Sequence, residues 1–156
     1  MKSLLSIISC LSVGLFMIGC GSTDSSSLPR VYIESRMGNM RDLENLEVKT
    51  DQGNISIPVA TSPILVETDI ARVDMVQVEL GKALAFTLKK RGQLRLMQTT
   101  GSNLGGRLVV SVGGEPIGVR RIDGPINNGV LYVFAMVPDS ELPELVSRIN
   151  EALKAL

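Results

Sequence analysis

From Leu4 to Ile18 the chain runs through fifteen residues broken only by serines, Cys10 and Gly14, with Lys2 in front and Met17-Ile18-Gly19-Cys20 closing the run. As a helix this stretch would be roughly 22 Å long, against about 30 Å for a bilayer's hydrocarbon core, so a stable spanning anchor is the weaker reading. A cationic start, a short apolar run and a small residue at its end form the pattern of a secretory signal, which is removed and takes no part in the fold. The next seven residues, Gly21-Ser22-Thr23-Asp24-Ser25-Ser26-Ser27, cannot continue a helix. The residues able to build a domain therefore lie beyond Cys20.

Composition removes many chemistries from what remains. The sequence has no His and no Trp, only 3% aromatics and two Cys. Without His there is no Ser-His-Asp or Cys-His catalysis and no imidazole metal ligand. Cys10 leaves with the signal, so a single cysteine remains and no internal disulfide can form. Residues beyond 19 carry 15 basic and 16 acidic side chains, which with so few rings gives no footprint for nucleic acid. No cofactor, metal ligand or catalytic residue is assigned, and no enzymatic activity is expected. Glu115, Asp123, Asp139, Glu141 and Glu144 are candidates for a glycosidase-type carboxylate pair, but acids at a helix start are accounted for by capping and the helix dipole.

Gly19 followed by Cys20 at the end of the apolar run resembles the lipobox of bacterial lipoproteins, whose Cys is diacylglycerylated before the chain is cut in front of it. Met17 stands where the commonest lipobox has Leu. The resemblance implies cleavage between Gly19 and Cys20 and lipid attachment at Cys20. A single acyl chain holds only marginally and two or more hold stably, so the membrane is an expected partner through acylated Cys20. The expected location is the bacterial cell envelope, facing the periplasm. Gly21, where enteric-type sorting uses Asp for inner-membrane retention, favours the outer membrane.

The apolar pattern divides the chain into a signal at 1–19, a lipidated flexible tether at 20–29, an N-terminal strand segment at 30–63 and an α+β domain at 64–156. Strands are expected at Arg30 to Glu34, Leu46 to Lys49 and Asn54 to Val59, the last two joined by a turn at Asp51-Gln52-Gly53-Asn54. Val76, Val78 and Leu80 alternate on one strand face, Gly81-Lys82 reverses the chain, and Leu84, Phe86 and Leu88 return. Lys89 to Ser102 fits a helix that covers this hairpin with Leu96, Met97, Thr100 and Leu104, ended by Gly105-Gly106. A second hairpin runs from Arg107 to Arg121 about Gly113-Gly114. Val130 to Val137, apolar at almost every position, reads as a central strand covered on both faces. Asp139 or Ser140 caps a final helix with a stripe from Leu142 to Leu156 and Pro143 in its first turn. The expected fold is α+β: antiparallel hairpins and a central strand covered by two helices, in a single small domain.

From Phe86 to Ile126 this order resembles the head of the first periplasmic domain of SecD, the protein-export subunit. Phe86-Thr87-Leu88 ends a strand, Asn103-Leu104-Gly105-Gly106-Arg107-Leu108 closes the helix, and Val109-Val110-Ser111-Val112, Gly113-Gly114-Glu115-Pro116-Ile117-Gly118 and Gly124-Pro125-Ile126 come after it in the family's order. Gly106 replaces the first Arg of the family's pair, and Lys89-Lys90-Arg91 replaces a Thr-Pro-acid helix start, placing three cations against the helix dipole. The family couples proton flow through transmembrane helices to movement of this head. Beyond residue 19 no comparable apolar run occurs, so a head without the motor is expected. The resemblance implies binding of a protein partner or polypeptide, with an envelope protein or a translocon component as partner and an accessory role in export. The alternative is a structural or adaptor lipoprotein unrelated to export. Lys89, Lys90, Arg91 and Arg95 could face anionic lipid or simply form a solvated helix face. Arg120 and Arg121 could meet a partner, or pair with Asp123 or Glu115. Gly101 to Gly106 lacks the ending of a phosphate loop and fits a helix C-cap.

Overall fold

The computed structural model describes residues 25–35, 42–50 and 53–156. Among the described residues eight strands and two α-helices run in order: β1 Pro29–Ile33, β2 Leu43–Thr50, β3 Gly53–Ala60, β4 Ile70–Val78, β5 Gly81–Leu88, α1 Lys90–Ser102, β6 Arg107–Val112, β7 Glu115–Arg121, β8 Val130–Val133 and α2 Leu142–Lys154. All strand pairs are antiparallel, in sheets ordered β1-β6-β7, β2-β3 and β4-β5-β8. The fold is α+β, as expected.

The two three-stranded sheets meet edge to edge. Just beyond β8, Ala135 bridges Gly118, and the Met136 amide donates to the Ile117 carbonyl at 2.6 Å. One side of the joined surface carries the main core, with Val31, Val73, Leu84, Phe86, Leu108, Val110, Leu131 and Val133 packed against Leu96 of α1 and Leu142, Leu145 and Ile149 of α2. The opposite side of β1-β6-β7 is covered by the β2-β3 hairpin, whose Leu46, Val48, Ile57 and Val59 close over Val109, Tyr32 and Val119. The opposite side of β4-β5-β8 carries no such cluster among the described residues.

The structure corrects several local expectations. The first hairpin turns at Glu79-Leu80, with Val78 paired to Gly81, so Gly81 at φ +125° opens β5 instead of forming the turn. That register sets Val76 against Ala83, and Met75 against Leu84. The apolar residues of β4 at Val76 and Val78 therefore lie on the side away from Leu84 and Phe86, and Leu80 stands at the turn tip. Only Gly92, Leu96 and Thr100 of α1 are buried, whereas Met97 and Leu104 are exposed. Neither Asp139 nor Ser140 caps α2; Glu141 precedes it without a side-chain cap bond, while Pro143 sits in its first turn.

The largest correction concerns Val130 to Val137. Its regular part ends at Val133, and the central place in its sheet belongs to β5. Leu131, Val133, Ala135 and Val137 face the core, but Tyr132, Phe134 and Met136 face outward. Of the turn expected at 51–54, residues 51 and 52 lie outside the described residues; Thr50 and Gly53, which flank them, are paired, with Gly53 at φ +115°.

Candidate functional site

The outward row on and beyond β8 is the most distinctive surface of the molecule. Tyr132 is 38% exposed, Phe134 43% and Met136 38%. Gly118 lets β7 approach this segment closely: a Cβ on Gly118 would lie 2.5 Å from Val133 Cγ1 and 2.7 Å from the Phe134 carbonyl oxygen. Past that contact the strands splay, and Arg120 spans the gap, its guanidinium donating to the Tyr132 carbonyl at 2.9 Å.

Two open clefts run along the row. One, about 460 Å³, lies in the splay between Val78, Ala83, Val119, Arg120, Tyr132 and Phe134 and is closed by Arg121 and Asp123. The other, about 580 Å³, lies between the end of β2 at Lys49-Thr50 and the segment Phe134 to Pro138. Val119 and Phe134 line both, so the clefts adjoin as two lobes of one groove. Apolar walls with a few polar groups at the ends suit binding of an amphipathic partner. The sequence pattern does not find this groove, since an unbroken apolar run is indistinguishable from a strand buried on both sides. Pro138 and Gly118 are the available hints: one limits the strand and the other marks a close backbone approach.

The sheet edges are largely occupied. Val31 bonds to Ile64 and Leu65 along the outer edge of β1, and the side chain of Asn150 bonds both backbone groups of Val73 on β4. Recognition by added strands is thus less favoured around the main sheet than recognition on the open face beside β8.

The basic cluster at the start of α1 has a partner that its sequence neighbourhood does not disclose. Asp69, fully buried, accepts from Arg91 Nε at 2.6 Å through Oδ1, while its Oδ2 lies 3.5 Å from Arg95 Nη1 and accepts from the Val66 amide at 3.2 Å. One buried carboxylate so offsets the dipole conflict at the helix start. Gly92 makes this possible, since a Cβ there would lie 2.9 Å from the Asp69 carbonyl oxygen. Lys89 and Lys90 remain exposed.

Arg121 lies 3.7 Å from Asp123, with both side chains largely exposed. Glu115 opens β7 and Asp123 lies beyond its far end; at about 3.3 Å per residue they stand far outside the separation of roughly 5–9.5 Å that a glycosidase pair requires. Asp139 pairs with Lys82 at 3.4 Å. Glu34 and Arg107 form a further pair at 2.6 Å beside a cleft of about 400 Å³. The hydrogen bond from Arg107 to Glu34 holds the guanidinium above its ordinary value against some desolvation. α1 ends at Ser102 with Asn103 as its C-cap, and of the three glycines in 101–106 only Gly105, at φ +74°, has the positive φ that the helix-cap reading expects, Gly101 lying within the helix. The sequence-assigned residues Gly19 and Cys20 lie outside the described residues. Among the described residues no group of His, Cys, Asp and Glu is arranged to hold a metal, and no helix is long and apolar enough to cross a membrane.

No protein-family model matches the chain, and no curated protein does. Solved structures do. A structure of the membrane component SecDF that enhances protein export is 16% identical, with a TM-score of 0.56 over 84% of this chain and 63% of that one. A crystal structure of SecDF in its super-membrane-facing form is also 16% identical, with a TM-score of 0.57 over 85% of this chain and 19% of that one. The chain thus spans less than two thirds of either neighbour. At this identity the likeness is one of fold: the chain has a SecD-like fold.

Proposed function

We propose that this chain is a lipid-anchored protein of the bacterial cell envelope that works by binding, not by catalysis, and that its SecD-like domain holds a protein partner or extended polypeptide as an accessory to protein export. The observation that carries the binding reading is the groove at Tyr132, Phe134 and Met136, apolar and open on a face that no hairpin covers among the described residues. Its likeness in fold to SecDF, described as enhancing protein export, supports the export context. The lipobox-like Gly19-Cys20 supports the anchor and the periplasmic orientation, and the absence of His supports a non-catalytic role.

Photo-crosslinking from a reactive residue placed at position 132, in intact cells, tests the reading. Adducts to a translocon component, lost when Phe134 is replaced by Ser, are expected. Adducts to an unrelated envelope protein alone would replace the export role with that of an adaptor, and no adduct above that from a control position on α1 would overturn binding at this face.

A further inference from the structure

Resting on that binding reading, we infer that the groove selects extended segments in which two apolar side chains on the same side of the strand are flanked by carboxylates. The shape supplies the first half. The lobes share Phe134 and Val119 and have separate apolar walls, Val78, Ala83 and Tyr132 in one and Met136 and Pro138 in the other. In an extended chain, alternate side chains point the same way about 7 Å apart. One such pair can straddle the shared residues Val119 and Phe134, one side chain in each lobe, with the residue between them turned to solvent.

Charge supplies the second half. Among the described residues, Arg120, Arg121 and Lys49 line the groove against a single carboxylate, Asp123. The Arg120 guanidinium bonds a neutral carbonyl, which leaves its charge uncompensated. The Arg121–Asp123 contact at 3.7 Å joins side chains that are 74% and 81% exposed, so water screens it strongly. Lys49 is exposed and forms no ion pair among the described residues. Cations thus line both lobes, Arg120 and Arg121 in one and Lys49 in the other. A segment with an acid on each side of its apolar pair places a carboxylate at each end, whereas lysines there meet like charge.

Three labelled peptides with the same Ser-Leu-Ser-Leu-Ser centre, flanked by Asp, by Ser or by Lys so that the flanks lie on the same side of the strand as the leucines, are titrated against the full processed chain by fluorescence anisotropy. The Asp-flanked peptide should bind tightest, by roughly two- to fivefold per flank over Ser, the range of exposed ion pairs. The preference should fade at high salt. In the double variant Lys49→Glu/Arg121→Glu the order should invert, while Lys49→Gln/Arg121→Gln should flatten it. Equal affinity for all three flanks overturns the charge selection and leaves polypeptide binding standing; no binding of any of them overturns both.

Discussion

Asn150 on α2 completes the outer edge of β4: its side-chain oxygen accepts from the Val73 amide at 2.9 Å and its side-chain NH₂ donates to the Val73 carbonyl at 2.7 Å. The two residues are 77 positions apart, and the carboxamide takes the place that a neighbouring strand's peptide group would occupy. An unpaired edge is a template for association, so this pair both docks α2 and blunts β4. Asn150→Ala should cost about 1–3 kcal/mol in chemical denaturation, because Val73 is left with two unmet backbone groups. Asn150→Asp keeps the acceptor, sets a carboxylate against the Val73 carbonyl, and should cost at least as much. Both variants should gain concentration-dependent association in sedimentation, which unchanged stability in both would contradict.

Gly118 is where the two sheets are held together. Gly118→Ala drives a methyl into Val133 and the Phe134 backbone. It should cost about 1–3 kcal/mol or more, as overpacking does, and should weaken ligand binding beside β8 at the same time. Gly124→Ala, with open space at its Cβ, is the control and should leave thermal unfolding within a degree or two.

The Asp69 carboxylate organises the start of α1. Asp69→Asn removes the charge that faces Arg91 and Arg95. Because those guanidinium groups are 63% and 45% exposed, they stay hydrated, and the expected loss is about 1–3 kcal/mol, below that for breaking a fully buried pair. Arg91→Gln should cost less. The Glu34–Arg107 pair should behave differently with pH. Since folding raises Arg107 above its ordinary value, its contribution is complete below that value and is lost only when the pH climbs past the raised one, so the guanidinium adds no pH dependence across the physiological range.

Much of the fold is legible in the sequence because strand alternation and glycine turns are local signals. The hairpin about Gly113-Gly114, the span of α1 and the stripe of α2 arise from residues close together in the chain. The misplaced first turn shows the limit. Gly81 is read as a turn residue, yet its positive φ serves the first position of β5; a two-residue turn at Gly81-Lys82 and the observed one both pair the even positions of β4 with odd positions of β5, so Val76 and Val78 share a face with Ala83 and not with Leu84 and Phe86. The groove is hidden for a related reason: Leu131 and Val133 are as apolar as Tyr132 and Phe134, and only the packing of α1 and α2 on one side decides which pair is buried. Asp69 is invisible as the partner of Arg91 because the contact spans 22 residues.

The anchor rests on a residue outside the described part of the chain and is tested chemically. Intact-mass analysis of the membrane-fraction protein should give a chain that starts at Cys20 and carries acyl groups, and Cys20→Ser should release it from the membrane. A chain that still begins at Met1 without acyl groups would contradict the anchor.

The central claim is that the exposed row on and beyond β8 binds while the core beneath it only supports the fold. Its most direct test measures the affinity of an unfolded, apolar polypeptide for the protein and for Phe134→Ser, with thermal unfolding followed in parallel. The account predicts at least about a tenfold loss of affinity, near 1.4 kcal/mol, with an unfolding midpoint that stays in place because Phe134 is already 43% exposed. Unchanged affinity, or a loss that merely tracks a collapse of the midpoint, would contradict it.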